Sequence, residues 1–249
     1  MESMQIIYIL CATVFISLLS LTGGFLLFGH RVGINFANRY VVSFAAGVML
    51  SAAFLDLIPE AIEVGNVMGV MTFILMGLVS FFFMERFLLW HHHHDECHHS
   101  KPTSFLVLIG DGLHNFVDGV AIASAFMADF SLGVSATLAI ALHEIPQEIA
   151  DFGVLMDSGM KKSKALLYNF YSSLSSVAGG LIGYLFLNSY KNYEYMLLGF
   201  GAGMFIYIAC SDLIPEMHKD SHKFDGWLQS IPFVLGIFLI LILGSFVHE

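Results

Sequence analysis

Long apolar runs recur from one end of the chain to the other, each closed by a short polar stretch. Eight such runs, at roughly 5–29, 36–61, 67–90, 103–128, 132–157, 163–188, 193–217 and 226–247, are each long enough as helices to cross about 30 Å of hydrocarbon with some tilt. Polar positions inside the runs keep helical spacing. Ser17, Ser20, Gly23 and Gly24 share a face of the first run, and Asn169, Ser172, Ser173 and Ser176 form a stripe on the sixth. Small residues let helix backbones approach closely in lipid, so both stripes are expected to be packing faces with interhelical hydrogen bonds. The eighth run has no polar residue between Pro232 and Gly244 and reads as scaffold.

The second and seventh runs end alike. Asp56-Leu57-Ile58-Pro59-Glu60 closes one and Asp212-Leu213-Ile214-Pro215-Glu216 the other, with Ala46-Gly47 and Ala202-Gly203 at the same offset upstream. With four runs between them, an even number, the two segments point in opposite directions through a bilayer. The expected architecture is therefore all-α, with eight transmembrane helices and inverted three-helix repeats flanking a central pair, a 3+2+3 plan that puts a substrate site near the midplane. Residues 1–249 are expected to form a single transmembrane domain with a His-rich cytoplasmic loop at 91–101.

Composition agrees with this pattern. At 57% hydrophobic and 12% charged residues, with a mean hydropathy of +0.77, the chain lies outside the range of soluble globular proteins. Cys11, Cys97 and Cys210 show no paired spacing, so neither a disulfide framework nor a thiolate zinc site is indicated. No basic stretch precedes the first run, which reads as a retained helix rather than a signal peptide. Nine of the ten basic residues fall in odd-numbered loops or the run ends beside them, and only Lys191 in an even loop. The positive-inside rule then puts the odd loops in the cytoplasm and both termini outside, in a plasma (cell inner) membrane.

Two runs carry the chemistry. Between Pro102 and Met160 there is no Lys or Arg, yet Asp111, Asp118, Glu144, Glu148 and Asp151 lie in the fourth and fifth runs together with His114, Asn115 and His143. A carboxylate in hydrocarbon needs a partner or neutralisation, and the pattern assigns the missing positive charge to a metal ion. His114 and Asp118 are four apart and share a face; so do His143 and Gln147. Two crossing helices can present His114, Asp118, His143 and Gln147 to one ion, with Asn115 and Glu144 at a position beside it. Asp111, Glu148, Asp151, Asn169, Asp56, Glu60, Asp212 and Glu216 are expected at a secondary metal position or along the pathway. Imidazole with carboxylate suits zinc, iron(II), manganese or cobalt, and the lack of cysteine or clustered methionine on these faces argues against copper(I). Pro146 cannot donate to the Leu142 carbonyl, so the helix is expected to bend there. In the third loop His91, His92, His93, His94, Cys97, His98 and His99 form a tract able to chelate metal without fixed geometry.

His114-Asn115-Phe116-Val117-Asp118-Gly119 resembles the H-N-F-x-D-G fourth-helix motif of ZIP (Zrt-, Irt-like) metal transporters, and His143-Glu144-Ile145-Pro146-Gln147-Glu148 resembles the H-E-x-P-H-E fifth-helix motif of one ZIP subfamily. The resemblance extends to the eight runs, the His-rich third loop and the Asp-Leu-Ile-Pro-Glu of run seven. It implies uptake of divalent metal toward the cytosol through adjacent positions on helices four and five, by movement of the central helices against the flanking repeat. Zinc is the first expectation for the substrate, with iron, manganese, cobalt or cadmium as further ions. Two positions depart from the family pattern: Gln147 stands where that subfamily has His, and Asp56 where many members have His.

No organic cofactor and no nucleic-acid partner is expected; the partners are the metal ion and the lipid bilayer, with room for a homodimer. A competing class is an intramembrane zinc metalloprotease. His143-Glu144-Ile145-Pro146-Gln147 is one residue from H-E-x-x-H, but Gln147 removes the second ligand and Pro146 distorts the turn. A third reading is a metal-sensing receptor that uses the His-rich loop without flux. The chain has no phosphate-binding G-x-x-x-x-G-K-[ST] loop, so direct coupling to ATP is not expected.

Overall fold

The computed structural model describes residues 2–28, 34–93, 102–157, 159–218 and 228–245. Among them the regular structure is helical throughout. The elements are α1 (Glu2–Phe28), α2 (Ile34–Ser51), α3 (Ile58–Val64), α4 (Val67–His93), α5 (Pro102–Ala128), α6 (Phe130–Asp157), α7 (Lys162–Ser173), α8 (Ser175–Ser189), α9 (Glu194–Ile208), α10 (Ile214–His218) and α11 (Ser230–Ser245). Five stretches are long and apolar enough to cross a membrane: Met4–Thr22, Tyr40–Val64, Val67–Arg86, Lys162–Ser189 and Glu194–His218. Ser230–Gly244 is shorter and equally apolar in character. The helices α5 and α6 match the longest of these at 27 and 28 residues but carry acids at mid-length.

Local chemistry explains the joints. Wide π turns, Ala52–Leu57 and Ala209–Leu213, connect α2 to α3 and α9 to α10. Each immediately precedes an Ile-Pro pair. Proline cannot donate to the carbonyl four residues back, and its ring would strike that oxygen; a π turn moves the carbonyl aside. The backbone N–H of Ile58 bonds Ala53 and that of Ile214 bonds Ala209, both across five residues. The tight α5–α6 joint is set by Asp129, whose Oδ1 accepts from the backbone N–H groups of Ser131 at 2.7 Å and Leu132 at 3.2 Å, capping the orphan donors of α6. Pro146 is accommodated within α6, whose helical backbone is continuous.

Helices α1, α5, α6, α7 and α8 pack on one another. At the α5–α8 crossing a Cβ on Gly119 would overlap the Ser176 carbonyl, and one on Gly179 the Phe116 carbonyl, so only glycine permits this backbone approach. Ser17, Ser20, Ser172 and Ser173 of the two stripes, with Ser175 beside them, make contacts between helices. Ser17 Oγ donates to the Ser173 carbonyl (2.8 Å), Ser173 Oγ lies 3.1 Å from both the Ser17 carbonyl and Ser20 Oγ, and Ser172 and Ser175 donate to the Leu108 and Gly112 carbonyls of α5. The outer faces are apolar: Leu75, Phe83, Leu185 and Leu235 are exposed, whereas Asp111, His114, Asn115, Asp118, His143, Glu144, Glu148 and Asn169 are all buried. A polar interior within an apolar exterior is the arrangement that a lipid solvent selects.

Candidate metal centre

Helices α5 and α6 bring their polar faces together at mid-length. One turn of α5 carries His114 and Asp118; α6 contributes the neighbours His143 and Glu144. One donor atom from each of the four lies within 4.8 Å of the others, and all four side chains are buried. The two imidazole Nε2 atoms are 3.1 Å apart. His114 Nε2 is 3.6 Å from Asp118 Oδ2 and 3.5 Å from Glu144 Oε1, and His143 Nε2 is 3.5 Å from each of those oxygens. Donors held at about 2.0–2.2 Å around a tetrahedral ion would stand about 3.3–3.6 Å from one another. Four of the five distances fall in that interval and the imidazole pair is slightly closer.

Both imidazoles are held from outside the set. His143 Nδ1 is 3.2 Å from the Ala139 carbonyl. A carbonyl only accepts, so Nδ1 carries the proton and Nε2 turns its lone pair to the set, the usual outer support of a ligating histidine. Phe81 of α4 packs edge-on to the His114 ring with centroids 5.5 Å apart, closing that side with hydrocarbon. Neither oxygen of Asp118 and neither of Glu144 has a hydrogen-bond partner among the described residues. Two buried carboxylates left without partners would cost several kcal/mol each, about what a divalent cation can offset.

The structure distributes the other expected residues less evenly. Glu144, expected with Asn115 at a neighbouring position, joins the two histidines instead. Successive helical residues point about 100° apart, and the approach of α5 between those two directions lets His143 and Glu144 both reach it. Gln147 is half-buried one turn further along α6. Asn115 turns to its own helix, its Nδ2 donating to Asp111 Oδ1 at 2.7 Å. Asn169 Nδ2 donates to Glu148 Oε2. Asp111, Glu144, Glu148 and Asp151 lie near enough to repel one another. Elsewhere Asp56, on the first π turn, accepts from Ser135 of α6, and Ser211 Oγ donates to Asp212 Oδ1 at 2.7 Å. Glu60 and Glu216 lie on the short helices α3 and α10. His94, Cys97, His98 and His99 lie outside the described residues, as do the side chains of His91, His92 and His93.

Sequence reasoning did not single out Ser135, Phe81 or the pair formed by Tyr207, whose hydroxyl donates to Glu85 Oε2. For Glu85 a signal existed, as an acid inside the third apolar run. Ser135 and Tyr207 carry none, because their partners are on distant helices.

A family model described as ZIP Zinc transporter matches residues 90–244, more than half of the chain and the whole of the four-donor set. The chain belongs to the ZIP zinc transporter family. It is 38% identical over 154 residues to zinc transporter ZIP6 of Pongo abelii, which covers 59% of the chain and 21% of that protein. Zinc transporter ZIP10 of Danio rerio is 37% identical over 150 residues, with 57% and 18% covered. Metal cation symporter ZIP14 of Danio rerio is 39% identical over 121 residues, with 48% and 24% covered. The chain thus spans about a fifth of the length of the curated relatives it matches. ZIP-family proteins are transporters rather than hydrolases, and the metalloprotease reading of the His143–Gln147 segment finds no support in these matches.

Proposed function

We propose that this ZIP-family chain is a multi-pass membrane transporter that carries divalent metal ions, zinc foremost, toward the cytosol. The observation that carries this is the set His114, Asp118, His143 and Glu144, whose spacing fits a tetrahedral ion and whose two carboxylates balance its charge. The ion is cargo. Imidazole and carboxylate bind it without the thiolates that would hold it too tightly for release, and Asn115 and Gln147 supply neutral oxygens beside the set. The names of the relatives, two zinc transporters and one metal cation symporter, favour the same substrate class.

The eight-helix 3+2+3 plan is part of this reading. It is supported by two features that recur at matched positions of the two halves. The π turns before Ile58-Pro59 and Ile214-Pro215 are one. The other is a pair of glycine crossings: Gly47 meets the Phe233 carbonyl and Gly236 the Phe44 carbonyl between α2 and α11, while Gly203 meets Ile74 and Gly77 meets Phe200 between α9 and α4. Gly47 and Gly203 are the glycines of the matched Ala-Gly pairs. The charge bias of the loops puts both termini outside the cytoplasm, in the plasma membrane.

The test is zinc flux into sealed proteoliposomes containing the purified chain. Saturable uptake that His114→Ala abolishes is the expected result. Metal binding with no flux at any gradient would instead make the protein a receptor.

A further inference from the structure

The corner between α6 and α7 sets three lysines on the outside of the molecule. Gly159, at a φ of 85°, takes the left-handed conformation that ends α6. Its backbone N–H bonds the Met156 carbonyl at 3.0 Å, and that of Met160 bonds the Leu155 carbonyl at 3.2 Å. Met160 packs with Phe152, Leu155 and Ala165 in a small apolar core, so the corner is pinned from inside. The Lys161 carbonyl then accepts from the N–H groups of Lys164 at 2.8 Å and Ala165 at 2.9 Å, which opens α7. Lys161, Lys162 and Lys164 are all exposed. They are three of the ten bases of the chain within four positions, and neither Asp nor Glu occurs from 158 to 193.

The outer face of α7 changes character along its length. Lys164, Tyr168 and Tyr171 follow one another at intervals of four and three residues and share a side of the helix. Both tyrosines are exposed, as are Leu167 and Leu174, whereas Ala165, Asn169 and Ser173 are buried on the other side. At 1.5 Å per residue the tyrosines stand about 6 and 10 Å further along the axis than Lys164, and Leu174 about 15 Å. The apolar stretch through α7 and α8 runs from Lys162 to Ser189, so the charges stand at its boundary and the phenol rings just inside it. Ammonium groups, then amphipathic rings, then aliphatic side chains match the order in which a leaflet presents phosphate, interface and acyl chain. The far end of the same stretch has Tyr190 and Tyr193, with ring centroids 6.1 Å apart, beside the single base Lys191. The aromatic rings are thus at both ends and the charge cluster at one.

We propose that this face of α7 binds an anionic phospholipid, with the headgroup phosphate held by Lys161, Lys162 and Lys164 and the start of its acyl chains laid against Tyr168 and Tyr171. Three ammonium groups on a helix pair without a carboxylate attract a headgroup of net negative charge and give a zwitterionic one no comparable advantage. The inner side of the same helix donates from Asn169 to Glu148 of α6 and from Ser172 to the Leu108 carbonyl of α5. Lipid on the outer side therefore steadies the helix that backs the metal centre. That the leaflet concerned is the cytosolic one rests on the proposed topology; the preference for a negative headgroup does not.

Phosphatidylglycerol and phosphatidylcholine with the same acyl chains are the probes, titrated into the purified full chain in detergent and counted on the intact protein by native mass spectrometry. Wild type should take up phosphatidylglycerol in preference. A lysine near an anionic surface strengthens attraction by about fivefold, so the triple variant Lys161→Gln, Lys162→Gln, Lys164→Gln should bind phosphatidylglycerol roughly tenfold or more weakly, with phosphatidylcholine unchanged. All three positions are exposed, so the variant should fold, with melting curves as the check, and Lys164→Gln alone should show a part of the same loss. The triple arginine variant, which keeps the charge, and Lys191→Gln, which removes a base elsewhere, should both bind as wild type. Equal uptake of the two lipids by wild type would overturn the proposal, as would titrations of the glutamine variants that superimpose on wild type. Displacement of phosphatidylglycerol by inorganic phosphate at equal concentration would overturn it too, by making the lysines a site for a soluble anion. A wild type without zinc flux whose phosphatidylglycerol preference still depends on these lysines would remove the transport reading and leave the lipid surface standing.

Discussion

His114 Nε2 and His143 Nε2 face each other at 3.1 Å across the α5–α6 contact, each also within 3.6 Å of two carboxylate oxygens. With Nδ1–H of His143 committed to Ala139, two neutral rings at this distance would oppose lone pair to lone pair unless a proton or a cation stands between them. Removing either ring should therefore act on ion binding before it acts on folding. His143→Ala and Asp118→Asn should each reduce zinc affinity by more than the roughly 10–100-fold seen on removing outer-shell partners of metal sites. Equilibrium zinc binding beside the melting temperature checks this. Unchanged affinity in Asp118→Asn would take that carboxylate out of the set.

Gln147 lies one turn from His143 on α6, half-buried, where an imidazole would complete a second i,i+4 pair. Imidazole favours zinc over manganese more strongly than an amide oxygen does. Gln147→His should raise the zinc-to-manganese preference in competition binding while lowering maximal zinc flux, because a tighter ion leaves more slowly. An unchanged preference would show that position 147 does not face the ion.

The α5–α8 crossing supplies a matched pair of stability tests. Gly119→Ala drives a methyl into the Ser176 carbonyl, a backbone atom that cannot rotate away, and should cost roughly 1–3 kcal/mol of stability. Gly153→Ala on α6 meets nothing within 4 Å and should be neutral or stabilising by roughly 0.5–1 kcal/mol through reduced chain entropy. Thermal melting in detergent reads both. Equal effects at the two positions would mean that the crossing is looser than the glycine geometry requires.

The distribution of basic residues fixes an expected orientation. In a cysteine-free background, Lys191→Cys should react with a membrane-impermeant thiol reagent added outside intact cells, and Lys162→Cys should react only after permeabilisation. Labelling of Lys162→Cys from outside would invert the topology and the direction assigned to transport.

Replacing His91, His92, His93, His94, His98 and His99 by Gly and Ser should leave saturable zinc uptake intact and change its response to high cytosolic metal. Loss of all flux in a variant with the wild-type melting temperature would make the tract part of the translocation path.

The order of apolar runs and acids determined much of this protein before any folding was considered. Helix positions follow from runs of Leu, Ile, Val and Phe that only helices can carry through hydrocarbon. The pairing of His114 with Asp118 follows from helical pitch, and the expectation of a cation follows from five acids without a base. These are properties of one helix at a time, or of composition, so one dimension suffices. Tertiary structure decided the rest. Glu144 stands beside both imidazoles because of the rotation of α6 against α5, and no spacing within α6 encodes that angle. Asn169 points its amide nitrogen at Glu148 because that carboxylate is within reach once α6 and α7 have met. Asp56 finds Ser135 across 79 positions of sequence, and Tyr207 finds Glu85 across 122. Such contacts depend on where separate helices cross, and that is set by glycines such as Gly119 and Gly179, whose role is visible only once another backbone lies against them.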